Sequence, residues 1–394
     1  MKILVVIPYF YPAEFFGGPV KITFDLGKEL VRRGNEVFVY TSDALDLNNR
    51  VLKKEIEIGG IHVHYFKNVS MFSVKTSKLF LTPEMYKQLN LDLSSLDPFD
   101  IIHVHEYSTY QNIIVRQLAK KYGVPYVLQA HGSLPIIGRE GRRWIFDAFF
   151  GHRLLKDSAI VIALNRMEVG QYSLAGVPHE KIALVPNGID LSQFAALPNR
   201  GCFRKKFGLD ENKRILLFLG RLNKIKGLDT LAIAFKQVVE ESKNVILVIA
   251  GPDDGYLNSL KNLVCSLKIN NNVLLVGPLY GDDKLAAYVD ADVYILPSTY
   301  ETFPVSILEA YACSKPVIAS KVGSLNDLVL DGVTGLLVEP GSADKLARSV
   351  VSLLNDPKKG KEMGLNGRRL VYESYSTGKV ADLLENIYKT IVCS

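Results

Sequence analysis

Short apolar runs alternate with amphipathic stretches along the whole chain. In the first half, Ile3–Ile7, Val37–Thr41, Ile61–Phe66, Ile101–Val104, Tyr126–Gln129, Ile160–Ala163 and Ile182–Val185 read as strands. The second half restarts the pattern with Ile215–Leu219, Val245–Ala250, Val273–Val276, Val293–Leu296, Pro316–Ala319 and Gly335–Val338. Most of these runs are apolar throughout, as expected of strands covered on both faces of a parallel sheet. Helical periodicity fills the gaps, as over Pro19–Arg33, which Gly34 stops. The alternation predicts the α/β class, with two Rossmann-like doubly wound domains. Periodicity lapses over Asn187–Gly201, where turn residues mark a linker between domains at 1–187 and 188–374. The end of the chain reads as helices, with Pro357 starting one and Gly378 interrupting another.

Composition adds mostly exclusions. With 48% hydrophobic and 22% charged residues in 394, the chain is neither disordered, collagen-like nor a disulfide-stapled mini-fold. The length itself suits two domains, and a cleft between domains is a common place for a small ligand. No apolar run approaches the roughly 18–20 residues of a membrane-spanning helix. The segment Met1–Pro8 reads as a first core strand rather than a signal peptide, because Pro8 ends a short apolar run. Cys202, Cys265, Cys313 and Cys393 form no C-x-x-C pair. Cys265 and Cys313 lie in apolar helical patterns, which predicts reduced, buried thiols and a cytoplasmic protein. The net charge of +6 is spread over both halves, so a nucleic-acid partner is not expected.

In parallel α/β domains the residues after each strand carry the chemistry. The first such loop ends in Gly17-Gly18-Pro19, directly before a helix whose N-terminal amides suit a phosphate. A plain hinge explains the glycines equally well, and the tight G-x-G-x-x-G dinucleotide turn is absent. After Ile215–Leu219, Arg221 and Lys226 flank a strand–helix junction, a seat for a diphosphate, with solvated surface charge as the plainer alternative. The third loop is Ser298–Ala312. There Pro304 suits the first position of a helix, and Glu309 falls on an apolar, buried stretch of it. A buried carboxylate is costly without a specific partner, either ligand hydroxyls or a structural ion pair. Glu301 lies in the same loop, just past its strand.

Other polar clusters read as structural. Asp290-Ala291-Asp292 has the D-x-D form of metal-dependent sugar transferases, but it joins a helix end to a strand. Asp253-Asp254 reads as a helix start. His62/His64 and His103/His105 lack further ligands at metal-site spacing, so no metal is expected. Over 134–156, Arg139, Arg142, Arg143, Arg153 and Lys156 interleave with Trp144, Phe146, Phe149 and Phe150. This pattern suits either peripheral membrane contact or a core-packed helix with a basic edge.

The E-x7-E pair Glu301/Glu309, preceded by Leu296-Pro297-Ser298, stands with Gly220-Arg221-Leu222…Lys226-Gly227, Pro186-Asn187-Gly188-Ile189-Asp190 and Asp331-Gly332-Val333-Thr334-Gly335. On these motifs the chain resembles the retaining glycosyltransferases of family 4, of the two-domain GT-B fold. The resemblance implies that the domains face a cleft and that a C-terminal helix, 375–394, crosses back to the first. It implies that Arg221 and Lys226 hold the diphosphate of a UDP-, GDP- or ADP-sugar, alongside the amides at Phe303 and Val305. Glu309 would accept from ribose hydroxyls, Glu301 would contact the donor sugar, and Leu279 would lie against the base. Gly17 and Gly18 would admit the diphosphate, and His131, in Ala130-His131-Gly132, matches the active-site histidine. The family often carries Gly-Gly and Pro-Glu where this chain has Gly323-Ser324 and Asn326-Asp327, which bears on donor-sugar contacts.

The implied activity is metal-independent, retaining transfer of a hexose, with no cofactor beyond the donor, to a glycan, lipid-linked or small-molecule acceptor, as in polysaccharide biosynthesis. A phosphorylase, a sugar-nucleotide epimerase and a non-catalytic sugar-nucleotide binder are the alternatives on the same plan.

Overall fold

A computed structural model describes residues 1–77, 79–134 and 145–393. The chain divides into two compact units, Met1–Gly188 with Thr377–Ser394, and Ile189–Ser376. Each is an α/β domain around one sheet.

The first unit contains β1 (Lys2–Val6), β2 (Glu36–Ser42), β3 (Glu55–Ile58), β4 (Ile61–Phe66), β5 (Ile101–His105), β6 (Tyr126–Gln129), β7 (Ile160–Ala163) and β8 (Ile182–Leu184). Their order is β3-β4-β2-β1-β5-β6-β7-β8, and every pairing is parallel except β3 with β4. The continuous apolar runs follow from cover on both faces. Ile3 and Val5 pack with the helices Gly18–Arg32 and Thr377–Val392, while Leu4 and Val6 pack with Pro83–Leu93 and Tyr110–Tyr122. Arg33 ties the C-terminal helix to this unit through Asp382 at 2.7 Å and Glu385 at 3.2 Å.

The second unit contains β9 (Arg214–Leu219), β10 (Val245–Ala250), β11 (Val273–Gly277), β12 (Val293–Leu296), β13 (Val317–Ser320) and β14 (Gly335–Val338). All pair in parallel in the order β11-β10-β9-β12-β13-β14. The strand order reverses between β9 and β12, and in the first unit between β1 and β5. Such switch points open a crevice at the carboxyl ends of the strands.

Several expectations are corrected. The edge strand β3 was not among the apolar runs, because its Glu-Ile-Glu-Ile alternation suits an edge with one wet side. Gly59 and Gly60, both at positive φ, make its two-residue turn into β4. Pro304 caps the helix Val305–Ala312 from outside, at ψ 111°, instead of opening it. Gly378 sits in the first turn of Thr377–Val392 and interrupts nothing. Cys265 is exposed, on the solvent side of its amphipathic helix, whereas Cys313 is buried.

Candidate functional site

In the second unit the loops after β9 and β12 are stitched together. The β9 loop turns back through Asn223, whose side chain accepts from the Ile225 amide at 3.1 Å and so shapes the turn Lys224–Lys226. Thr299 donates its amide to the Ile225 carbonyl at 2.8 Å. Gly227, at φ +65°, passes so close to β12 that a Cβ there would stand 2.0 Å from the Pro297 carbonyl oxygen. Gly251 similarly presses on Gly220, where a Cβ would meet the carbonyl oxygen at 1.8 Å. Only glycine permits these approaches.

This packing brings three of the expected residues to the switch point. Lys226 Nζ lies 2.6 Å from Glu301 Oε1, and Ser298 Oγ donates to the same oxygen at 2.7 Å. Both members of the ion pair are largely buried, at 15% and 8% side-chain exposure. Arg221, more open, pairs through Nη1 with Asp254 Oδ2 at 2.8 Å, and Asn223 donates to the same oxygen at 3.0 Å. Phe303 is buried beside the start of Val305–Ala312, and Val305 is the first residue of that helix. The first amides of an α-helix have no partner within it, so they face whatever lies at its N-terminus.

Glu309 sits on the same helix at 4% exposure. Its Oε1 accepts from Lys284 Nζ at 2.7 Å and its Oε2 lies 3.1 Å from the Tyr288 hydroxyl. The costly buried acid thus has a structural ion pair. Burial, reinforced by the Glu309 charge, pushes the Tyr288 phenol well above its ordinary pKa, so it stays a hydrogen-bond donor. Lys284 and Tyr288 belong to the helix Gly281–Asp290, which directly follows the loop containing Leu279. Leu279 is half-buried and Tyr280 exposed.

The aspartates read as structural are accounted for. Asp290 accepts from the Gly201 and Arg204 amides at 2.6 and 3.0 Å, and Asp292 pairs with Arg214 at 2.9 Å. Asp253 accepts from three successive amides, Gly255 to Leu257, ahead of the helix Leu257–Ser266. Ser324 is buried, and its hydroxyl meets no hydrogen-bond partner among the described residues. Among the described residues no three His, Cys, Asp or Glu converge as a metal site would require.

In the first unit, Gly17 caps the helix Gly18–Arg32 at φ +91° with open space around it. His131 lies past β6 at φ 50°, an uncommon conformation for a residue with a side chain. The loop is held from beneath: buried Glu168 accepts from the Gly132 amide at 2.8 Å and the Leu164 amide at 2.7 Å, and Tyr172 accepts from Ala130 at 3.1 Å. The His131 Nε2 lies 2.7 Å from His105 Nδ1, and His103 Nδ1 lies 2.6 Å from the Tyr388 hydroxyl. Burial pushes His131 down to about 4 and His103 to about 3, and holds His105 well below its ordinary value. These imidazoles are neutral at pH 7. The same effect, opposed by the two amide hydrogen bonds, pushes Glu168 up to about 7.

Gly17–Gly18 and His131 thus stand in the loops that follow different strands, β1 and β6, while His105, one of the pair read as structural, lies 2.7 Å from His131. Lys284, Tyr288, Asp254 and Glu168 were also missed. The Lys284–Tyr288 spacing of four on one helix was the one local signal for the first two. Of the basic–aromatic segment, Arg139, Arg142, Arg143 and Trp144 lie outside the described residues. Within it, Ile145, Phe149, Phe150, Arg153 and Lys156 are exposed, whereas Leu154 and Leu155 are buried. Among the described residues no helix is long and apolar enough to cross a membrane.

A family model described as Glycosyltransferase Family 4 matches residues 16–193, and one described as Glycosyl transferases group 1 matches 199–370. An uncharacterized glycosyltransferase of Methanocaldococcus jannaschii is 30% identical, over 99% of this chain and 98% of that one. The N-acetyl-alpha-D-glucosaminyl L-malate synthase of Bacillus anthracis is 27% identical, over 97% and 96%. Among solved structures, sucrose-phosphate synthase from Thermosynechococcus elongatus matches with a TM-score of 0.79 at 22% identity, over all of both chains. The Anabaena protein HepE in complex with UDP matches with a TM-score of 0.80 at 21% identity, over 99% of this chain and 100% of that one. Two α/β units, family models across both and a full-length relative at this identity place the chain in the group 1 glycosyltransferases, family 4, with the GT-B fold.

Proposed function

We propose that this enzyme transfers a hexose from a nucleoside diphosphate sugar to a hydroxyl group, with retention at the anomeric carbon and without a metal ion. One observation carries the reading: Lys226, Glu301 and Arg221 gather at the β9–β12 switch point, where the helix Val305–Ala312 begins close by in the chain. Cations beside helix amides suit a diphosphate. That HepE was solved with UDP and with UDP-glucose supports a nucleotide-sugar donor.

In this reading Arg221, Lys226 and the amides at Phe303 and Val305 hold the diphosphate. Glu301 accepts from the transferred sugar, Glu309 from the ribose hydroxyls, and the Leu279 loop lies against the base. In the first unit, His131 is the group proposed to meet the sugar, and Gly17 and Gly18 the backbone proposed to admit a phosphate. The bond from the anomeric carbon to the phosphate oxygen breaks while the acceptor oxygen bonds that carbon on the same face. The acceptor proton passes to the departing phosphate. Arg221 and Lys226 act where negative charge develops, which is where fixed cations accelerate a reaction. The acceptor is a glycan, a lipid-linked sugar or a small molecule, and the exposed aromatics of 145–156 are proposed as a peripheral membrane contact of a cytoplasmic enzyme.

Ligand binding to the folded state raises melting temperature by mass action. We expect one of UDP-, GDP- or ADP-glucose to raise it in the presence of EDTA, and the product to keep the donor's anomeric configuration by NMR. No shift with any of the three, or an inverted product, would sink the reading.

A further inference from the structure

We propose that Lys284 is a positioning residue for the nucleotide's ribose, acting through Glu309. The inference rests on the reading of Glu309 as the ribose acceptor. It starts from the helix Gly281–Asp290, which places Lys284 and Tyr288 four residues apart and so on one face. Both reach the same carboxylate, Lys284 Nζ at 2.7 Å from Oε1 and the Tyr288 hydroxyl at 3.1 Å from Oε2. The Tyr288 hydroxyl is also 3.1 Å from the Ser306 carbonyl, so its single proton is contested. Of these two partners, Lys284 is the one that brings a positive charge to the buried carboxylate.

A carboxylate as buried as Glu309 keeps its charge only if a cation or donors offset the loss of water. A charged carboxylate accepts at about four positions, a protonated one at fewer, and a ribose diol needs acceptors. Lys284 thereby keeps Glu309 an acceptor and fixes the plane of its carboxyl group. The same helix begins at Gly281, immediately after Leu279 and Tyr280, and the Lys284 amide donates to the Tyr280 carbonyl at 3.3 Å. One turn of helix thus links the loop assigned to the base with the acid assigned to the ribose.

The test compares dissociation constants of UDP, GDP and ADP with those of their 2′,3′-dideoxy counterparts, by calorimetry on the full chain, using whichever base binds best. The native protein should prefer the ribonucleotide by at least tenfold. Lys284→Met should weaken ribonucleotide binding at least fivefold and leave the dideoxy affinity within twofold, so the preference collapses. Glu309→Gln should abolish the preference, and Lys284→Met added to it should change nothing more. If Lys284→Met does not fold, Lys284→Gln should cut the preference at least threefold. A variant that weakens both ligands equally, or that keeps the full preference while Glu309→Gln removes it, overturns the role of Lys284 alone. A native protein that binds no nucleotide, or that does not distinguish ribose from dideoxyribose, overturns the assignment of Glu309 and this inference with it.

Discussion

The two units hold their candidate groups in opposite electrostatic states. In the second unit, three charged pairs stand at or near the strand ends: Arg221 with Asp254, Lys226 with Glu301, and Lys284 with Glu309. In the first, His131 rests on His105, and burial keeps both uncharged. Each is a solution to the same difficulty, since a lone buried charge is too costly to keep. Pairing preserves the charge of each side chain, and under the proposed function a phosphate would have to compete with a carboxylate for the cation. Neutrality removes that competition and leaves an imidazole able only to donate or accept a hydrogen bond.

The contrast can be broken most severely at Gly227. Gly227→Ala combines a left-handed backbone with a clash against Pro297, and should destabilise the second unit by at least about 3 kcal/mol. Urea unfolding measures this, and a loss below about 1 kcal/mol would mean the two loops are not locked together.

Charge itself is tested next. Lys226→Ala and Glu309→Ala should each lower sugar transfer at least roughly tenfold, about 1.4 kcal/mol, in protein that remains folded by circular dichroism. Near-normal turnover in both would remove the paired charges from the site.

Acidification should act on the first unit through its histidines. His103 and His131 are depressed to about 3 and about 4, and His105 lies well below its ordinary value. The unfolded chain therefore binds more protons than the folded one as pH drops through about 6.5, and stability present above that pH is lost towards about 4. Glu168, raised to about 7, works in the other direction and offsets part of the loss. The net expectation is a decrease of about 1 kcal/mol between pH 7 and pH 6. Calorimetric melting at the two values should show it; equal or greater stability at pH 6 would mean these imidazoles are not buried as neutral groups.

The smallest effect sharpens the distinction between buried and exposed pairs. Lys206–Asp283 is as short as the site pairs, at 2.6 Å, but about half exposed on both sides. Lys206→Ala should change stability by less than about 0.5 kcal/mol and leave nucleotide affinity unaltered. A stability loss above about 1 kcal/mol would mean that proximity alone, without burial, governs these pairs.

Much of this architecture was legible along the chain. Runs such as Ile61–Phe66 and Val245–Ala250 coincide with strands because their apolar patterning records burial directly. The β3 strand was overlooked because an alternating edge strand carries half the signal, and Cys265 was misplaced because an apolar helical pattern does not say which residues face water. Arg221, Lys226 and Glu301 are legible because each follows a strand, where such domains bind ligands, and Glu309 because a carboxylate is costly on an apolar helix, while their separate roles come from the family resemblance. Asp254 and Lys284 gave no such sign, since an acid after a glycine turn or a lysine early in a helix is ordinary surface chemistry.

Local patterning along the chain already specifies the α/β alternation, the division into two units and the loops that hold the charged candidates. All three depend on patterns spanning a few neighbouring residues. The partners emerge when folding brings distant residues together: Lys226 with Glu301, 75 positions away, Lys284 with Glu309, 25 away, and His105 with His131, 26 away. Which charge is compensated, and by what, depends on strand order and on close approaches such as Gly227 to Pro297. Those are set when the sheet assembles, and no local stretch of chain encodes them.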